Sequence, residues 1–258
     1  MWRMRLDSIT GCLAIEIRDA DVLLTSFYTL DTASHTLKQL QLPQAKAWWQ
    51  GLEDATHGFL YLHGYGNRQL GQHKGIIAIS QVTGKQVWET KELAFYGVDS
   101  PGLLAYNPEQ PEAALQVLHP TTGKATGITR TQQEAAAEVA KYNQIRYQNC
   151  IYPTLYLEGE DHFNTVQFFL KQEFEIEVVK AIDYAETDSC LLVSFYTLEP
   201  DGKLQNELAV FNLKGDLQLK VTLGTALTGI GSDTFFIFKH NLYFIQNKDI
   251  LQVFRLLV

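Results

Sequence analysis

Histidine and cysteine are the residues whose chemistry is easiest to recognise from spacing in this chain. The seven histidines are His35, His57, His63, His73, His119, His162 and His240. None of them forms an HxH, HxxxH or HExxH pattern, and such patterns are typical of metal ligands that lie close together in sequence. The sequence therefore predicts no metal site, and no motif indicates a cofactor.

The segment Tyr152–His162 concentrates polar groups just before a predicted helix. It places Glu158, Asp161 and His162 around Gly159. Loops on a rigid scaffold often carry function, and a histidine in such a loop can titrate near neutral pH. The alternative is a solvated turn in which Asp161 caps the helix and no ligand binds.

A second polar segment contains His63 and Tyr65. We predict that these two residues and Glu158–His162 surround one concave mouth, because both segments are expected to leave strands through loops that contain glycine. Carboxylates beside an imidazole favour its charged form, whereas burial disfavours that form. Such a cluster would hold a cation, a polar ligand or a basic partner residue. The alternative is that the two loops lie at opposite ends of the molecule.

Other catalytic patterns are absent from the sequence. Gly64-Tyr65-Gly66 lacks the later glycine of a GxGxxG phosphate loop, and we interpret it as a hairpin connection,. Ser232 does not lie in the GxSxG elbow of a hydrolase nucleophile,. Trp48 and Trp49 either pack between neighbouring sheets or expose one ring as a contact surface.

Strand patterns surround these candidate residues. Gly11–Arg18 places Leu and Ile at alternate positions, which is typical of a half-buried strand,. Later segments contain strands separated by turns rich in glycine, asparagine and aspartate. The pattern predicts antiparallel meanders in Phe59–Thr90, Leu191–Leu223 and Phe235–Leu257.

A short repeat indicates a regular architecture. Ser26–Leu30 recurs unchanged at Ser194–Leu198, which is 168 residues later, or four times 42. A period of about 40–45 residues is typical of four-stranded propeller blades. We therefore predict an all-β fold, a β-propeller of about six blades of antiparallel meanders. A propeller closes by joining its chain ends, so Trp2–Leu6 is expected to pair beside the last meander.

One segment also resembles a known family. Ala78–Trp88, with the sequence AISQVTGKQVW, is similar to the blade motif of quinoprotein-type β-propellers, whose repeats are pyrroloquinoline-quinone-like. In that family an apolar strand leads to Thr-Gly-Lys and then to a strand with a tryptophan, so the resemblance implies that Trp88 packs between blades. Val117–Gly127 resembles the motif more weakly because it lacks the tryptophan. WD-repeat propellers resemble the chain less, since it has no Trp-Asp or Gly-His dipeptide.

Two segments interrupt the strand pattern. Thr131–Tyr142 is rich in strong helix formers, and His162–Phe174 places apolar residues on one helical face,. A strand over Thr165–Leu170 is the alternative for the second segment. We predict a helical insertion around residues 131–174 within a single domain of residues 1–258.

Charge and cysteine usage narrow the classes of partner. The net charge is −8 and no basic run is longer than a pair, which disfavours nucleic acid and anionic membranes,. No stretch reaches the roughly 18 apolar residues of a membrane span. Cys12, Cys150 and Cys190 are scattered, so we expect free thiols and a cytoplasmic protein,.

The function predicted from these features is binding without catalysis. We expect a propeller scaffold that binds a protein partner or a small ligand on one face. The alternative is an enzyme of the hydrolase or lyase type with a polar site at the mouth of a central channel. A likeness of fold does not transfer function, so the quinoprotein-type motif does not predict a quinone cofactor.

Overall fold

A computed structural model describes residues 3–42, 48–231 and 233–256. Strands account for 53% of the described residues, which also contain two helices. The prediction of a mostly β chain with two helices is confirmed. The chain divides into two compact units, unit 1 (Met1–Gln148) and unit 2 (Asn149–Val258).

The described part of unit 1 contains three antiparallel sheets of four strands, each a simple meander. Sheet 1 consists of β1 (Arg3–Asp7), β2 (Cys12–Asp19), β3 (Leu24–Asp31) and β4 (Leu37–Gln39). Sheet 2 consists of β5 (Gly51–Thr56), β6 (Phe59–Asn67), β7 (Gln72–Ser80) and β8 (Gln86–Thr90). Sheet 3 consists of β9 (Ala94–Val98), β10 (Leu103–Tyr106), β11 (Leu115–Leu118) and β12 (Ala125–Arg130). Helix α1 (Gln132–Arg146) follows sheet 3.

The described part of unit 2 contains two antiparallel sheets and helix α2 (Asp161–Phe174). Sheet 4 consists of β14 (Thr154–Leu157), β15 (Val179–Glu186), β16 (Cys190–Leu198), β17 (Leu204–Asn212) and β18 (Leu217–Leu227). Sheet 5 consists of β13 (Cys150–Ile151), β19 (Phe235–Phe238), β20 (Asn241–Gln246) and β21 (Ile250–Arg255).

The core of unit 1 lies between successive sheets. Ala14 and Phe27 of sheet 1 pack against Leu52 and Leu62 of sheet 2. Strand β2 was predicted to bury one face, but Leu13–Glu16 is buried on both faces. The reason is tertiary, because the Ala14 face is covered by sheet 2. This packing places β5, β6 and β7 between two other sheets, where polar side chains can be held rigidly.

Trp88 anchors the contact between sheets 2 and 3. Its ring is 9% exposed and packs with Leu103 and Leu118 of sheet 3. Its Nε1 donates a hydrogen bond of 2.7 Å to the carbonyl oxygen of Pro120. The expectation that Trp88 is buried between neighbouring sheets is confirmed, while the quinoprotein-type repeat stays a resemblance.

Helix α1 is four residues longer at its carboxyl end than the segment predicted from the sequence. Thr131 caps it and exchanges hydrogen bonds with Glu134 in a capping box,. In the last turn, Arg146 donates two hydrogen bonds to the carboxylate of Asp54 on β5, at 3.1 and 2.8 Å. This buried pair fastens the helix to sheet 2, which explains why the helix continues beyond Tyr142.

Helix α2 covers one face of sheet 4. Phe163 and Leu170 of the helix pack against Ile182 and Phe195 of the sheet, while the other face of sheet 4 shares a core with sheet 5. The helical prediction for His162–Phe174 is therefore confirmed over the strand alternative.

Four of the five sheets of the described residues are meanders of consecutive strands, the kind that forms propeller blades,. In sheet 5, β13 pairs beside the β19–β21 meander. Their closure into a propeller and the number of about six blades stay predictions. Trp2 and Leu257, at the ends of the predicted closing contact, lie outside the described residues. Within the described residues, neither helix is long and apolar enough to cross a membrane.

Candidate metal centre

Three strands of sheet 2 bring a carboxylate and two imidazoles together. Glu53 comes from β5, His63 from β6 and His73 from β7. Each residue offers one ligand atom, and these atoms all lie within 4.8 Å of one another. We call these three residues the triad.

Irregularities in the strand pairing place the triad side chains. Glu53 is the extra residue of a bulge, because the pairing of β5 with β6 shifts between Leu52 and Asp54. On β7, Gly75 is the extra residue of a second bulge and has a φ of 89°, a conformation that favours glycine,. Bulges redirect side chains, and these two bring the donors of three strands to one point.

The carboxylate of Glu53 lies at the centre of the triad. Its Oε1 is 2.9 Å from Nδ1 of His63 and 2.7 Å from Nδ1 of His73. The two imidazole rings are stacked, with centroids 3.4 Å apart and planes inclined by 12°. Both histidines therefore point the same type of nitrogen at the same carboxylate oxygen.

His63 is the buried member of the triad and is 2% exposed. Although its Nδ1 is close to Glu53, neither ring nitrogen makes a hydrogen bond of acceptable geometry with a described residue. An unsatisfied buried polar group costs about 1–3 kcal/mol. A buried imidazole in this state is suited to bind a ligand that the structure does not contain.

Gly51 allows His63 to occupy its position. A Cβ atom at residue 51 would lie 2.6 Å from Nε2 of His63, closer than real Cβ contacts. Beside it, Arg18 donates to the carbonyl oxygen of Gln50 at 2.9 Å. The buried carboxylate of Glu16 accepts from the amide of Leu52 at 2.7 Å. These contacts fix the start of β5 and the space that the His63 ring fills.

The pKa values of Glu53 and His63 are both lowered, for different physical reasons. Burial alone would raise the pKa of Glu53, but the close imidazoles of His63 and His73 lower that pKa to about 2. Burial lowers the pKa of His63, and Glu53 only partly opposes this effect. At neutral pH the site therefore offers a carboxylate and a neutral buried imidazole, which are the forms that bind metal ions.

A pocket of about 370 Å³ adjoins the triad. Tyr65 lines it, and the ring of Tyr65 meets the rings of His63 and His73 edge-on, with centroids 5.1 and 5.4 Å away. Trp49 lines the same pocket and is 37% exposed. Of the two interpretations of the Trp48-Trp49 pair, the structure thus favours one exposed contact ring.

The structure brings His63 and Tyr65 together, as the sequence led us to expect, but not on a loop. The interpretation of Gly64–Gly66 as a hairpin connection is wrong, because β6 continues to Asn67. The reason is that Tyr65 pairs with His73 across the hairpin, so the turn comes only after Asn67.

Glu158, Asp161 and His162 are all exposed and lie in unit 2. Glu158 accepts a hydrogen bond from the amide of Lys180 at 3.3 Å, and the ring of His162 stacks on Tyr156 with centroids 5.1 Å apart. Asp161 was expected to cap α2, but it is the first helical residue. Glu160 is the N-cap and uses its carboxylate to accept from the amide of Leu157 instead. The mouth shared with His63 stays a prediction.

Glu53 and His73 were not among the residues selected from the sequence. A signal for His73 existed, since pairing it with Tyr65 in the β6–β7 hairpin would have put it on the same face as His63,. Glu53 gave no such signal, because its position depends on the bulge in β5.

Comparisons with known proteins add a partial family match. Residues 6–88 match the model of a family described as a domain of unknown function (DUF4905), and the triad lies within this range. No curated protein matches the chain.

Two solved structures cover 98% of the chain at 11% sequence identity. One is dipeptidyl peptidase 4 of Porphyromonas gingivalis, with a TM-score of 0.34 and a match over 35% of that chain. The other is an oligogalacturonate lyase in complex with manganese, with a TM-score of 0.28 and 76% of that chain covered. This chain spans about a third of the peptidase chain, and TM-scores this low carry no argument about its function.

Proposed function

We propose that the protein binds a divalent transition-metal ion at Glu53, His63 and His73. The observation that carries this proposal is the convergence of three donor atoms within 4.8 Å, one of them on a buried imidazole without a hydrogen bond to a described residue. A metal ion would bind the unsatisfied nitrogen of His63. It would lie between the two imidazole rings and the carboxylate oxygen of Glu53 that both rings now approach.

The donor set selects the class of ion. Two imidazole nitrogens and one carboxylate oxygen suit Zn²⁺ and its first-row neighbours. Mg²⁺ and Ca²⁺ prefer six or more oxygen ligands, which the triad does not supply. We therefore propose Zn²⁺ or a similar ion as the resident metal.

From the sequence, the proposed scaffold was expected to bind either a protein partner or a small ligand. The pocket beside the triad favours the small ligand, because its volume of about 370 Å³ is typical of small-molecule sites,. The scaffold itself is proposed to be a propeller, which the successive packed meanders support. A cytoplasmic location is supported by three free cysteines, and imaging of the tagged full-length chain tests it,.

One observation favours the enzyme alternative: the described part of the protein supplies only three ligands to the proposed metal ion. Three protein ligands leave coordination positions open for water, as in catalytic zinc sites,. A hydrolase of this type would lose turnover when the metal is removed. Ester and amide hydrolysis by the metal-loaded and metal-free protein distinguishes this alternative from binding without catalysis.

Calorimetric titration of the metal-free protein tests the proposal. We expect one Zn²⁺ ion per chain and no saturable binding of Mg²⁺. His73→Gln removes a ligand that is partly exposed, so the variant should fold. Its Zn²⁺ affinity should fall at least about 100-fold, since even the outer partners of metal ligands contribute 10–100-fold.

His162→Gln is the matched control, because His162 is an exposed histidine outside the triad. We expect this variant to bind Zn²⁺ like the parent. If His73→Gln retains full affinity, or if His162→Gln loses it, the triad is not the metal site.

A further inference from the structure

The charged residues that line the pocket beside the triad are mostly basic, whereas the chain as a whole is acidic. Arg68, Lys74 and Lys91 line it together with one acidic residue, Glu89, although the chain carries a net charge of −8. Positive charge concentrated in a concave site on an acidic protein attracts anions. The pocket therefore favours a ligand of negative charge.

Two of the three basic side chains are available to a ligand. Lys74 is engaged, since its Nζ is 2.7 Å from Glu109 and 3.1 Å from Glu92. Arg68 and Lys91 are exposed and have no ion-pair partner among the residues that the structure describes. These two cations can therefore bind an oxyanion without breaking an existing ion pair.

The wall of the pocket contains a buried amide that is also unsatisfied. Gln50 is 5% exposed, and its Oε1 has no hydrogen-bond partner in the described part of the chain. Buried polar groups are normally satisfied, so an unsatisfied acceptor at a pocket wall favours a ligand group that donates a hydrogen bond. Oε1 of Gln50 is a hydrogen-bond acceptor, so it would contact a donor group of the ligand beside the two cations.

Aromatic rings complete the pocket and indicate the rest of the ligand. The ring of Trp49 meets Tyr65 edge-on with centroids 5.8 Å apart, and the guanidinium carbon of Arg68 lies 4.5 Å from the centre of the Trp49 ring. Stacking on Trp49 holds the guanidinium in place without using its hydrogen-bond donors. A planar group can pack on these rings while its oxyanion faces the cations.

We propose that this pocket binds a small organic anion, a carboxylate or a phosphate carried on a planar ring, whose oxyanion contacts Arg68 and Lys91. This inference rests on the proposed function, because the pocket and the metal triad meet at Tyr65. It names the class of molecule that the metal centre would act on or hold.

Titration of the full-length protein, with and without added Zn²⁺, with three probes tests the inference. Benzoate and phenyl phosphate carry the two kinds of oxyanion, and benzamide is a neutral molecule of similar shape. We expect the two anions to bind and benzamide to bind at least about tenfold more weakly, because charge-assisted hydrogen bonds are the strong ones. The anion that binds more tightly shows whether the natural ligand carries a carboxylate or a phosphate.

Variants assign the binding to the pocket. Replacing both basic residues, Arg68→Gln with Lys91→Gln, should weaken anion binding at least about tenfold. The same double variant should keep the parent affinity for Zn²⁺. Lys171→Gln is the matched control, since Lys171 is an exposed lysine of α2 and should leave anion binding unchanged.

The outcomes separate the two proposals. If Zn²⁺ binds but neither anion binds at about 10 mM, well above ordinary ligand affinities, the anion pocket is wrong and the metal centre stands. If the anions bind but Zn²⁺ does not, the metal centre is wrong. Equal binding of benzamide, or full anion binding by the double variant, would also overturn the pocket assignment.

Discussion

Each side chain of the triad is held by its own local constraint. A bulge places Glu53, the absence of a side chain at Gly51 admits His63, and the pairing of Tyr65 with His73 orients the hairpin. Ligands held this rigidly pay little entropy when a metal ion binds, which is the condition for a tight site. Single substitutions that each remove one of these constraints therefore test the site.

Gly51→Ala tests whether the space at residue 51 controls the site. The new Cβ would overlap the His63 ring, so the imidazole must move. We expect Zn²⁺ affinity to fall at least about tenfold, the size seen when outer contacts of a ligand are disturbed. Gly229→Ala is the control, because a Cβ at residue 229 meets nothing within 4 Å. Equal affinity in the two variants would show that the glycine does not position His63.

Asp183 in unit 2 gives a prediction on pH and stability. It is 3% exposed, and its Oδ2 accepts from the amide and hydroxyl of Thr234 at 3.0 and 2.8 Å. Burial raises the pKa of Asp183, and these hydrogen bonds only partly oppose it. The folded state therefore binds more protons than the unfolded state, in which the pKa is about 4. Stability should fall as the pH rises from about 4 through the folded-state pKa.

Asp183→Asn removes this titration and should flatten the decrease. Urea melts of the parent and the variant between about pH 4 and 7 measure it, since the window begins at the ordinary aspartate pKa. Asp188→Asn, at an exposed position, should retain the parent profile. Parallel profiles of parent and Asp183→Asn would contradict the assigned burial effect.

The sequence revealed part of the site at the residue scale. His63 and Tyr65 were found because polar and aromatic residues interrupt an apolar scaffold. Glu53 could not be found in this way, because strand alternation without the bulge puts its side chain on the face of Ala55, which packs against sheet 1,. A donor set that depends on register across three strands is invisible to motifs within one segment.

At the scale of elements, sheet-on-sheet packing decides which side chains are structural. Trp88 fills the space between sheets 2 and 3, where its ring centroid is 6.1 Å from that of Tyr61. Trp49 instead lines an open pocket. The two tryptophans therefore have different environments, one buried between sheets and one exposed at a pocket.

Trp88→Ala should lower the free energy of unfolding by about 3–5 kcal/mol, the usual cost of emptying a buried aromatic site. Trp49→Ala, at a position 37% exposed, should cost less than about 1 kcal/mol,. Denaturant melts followed by circular dichroism measure both. A loss below about 1 kcal/mol for Trp88→Ala would mean that the ring does not anchor the sheets.

Element types were more predictable than element ends. Apolar runs separated by turn residues identified the meanders, and strong helix formers identified α1. The extension of α1 to Arg146 was not predictable, since it depends on the ion pair with Asp54 from a distant strand. The cap of α2 was missed for a different, local reason, because Glu160 takes the N-cap position and its carboxylate accepts from the amide of Leu157.

At the scale of the molecule, the sequence predicts a single domain, whereas the structure divides into two compact units. An unfolding experiment tests whether the two units unfold together. All four tryptophans, at positions 2, 48, 49 and 88, precede residue 149, so tryptophan fluorescence reports on unit 1. Far-UV circular dichroism reports on both units. A closed propeller is one cooperative structure, so the two transitions in urea should coincide. A fluorescence transition separate from the dichroism transition would contradict a single domain.

Metal binding at the triad is the claim on which the proposed function depends. Crystals of the protein grown with Zn²⁺ and measured at the zinc absorption edge locate the ion directly. We predict one anomalous peak at about 2.0–2.2 Å from a nitrogen of His63, a nitrogen of His73 and an oxygen of Glu53, the usual zinc distances. Absence of an anomalous peak at the triad, whether or not zinc binds elsewhere on the protein, would contradict the metal centre.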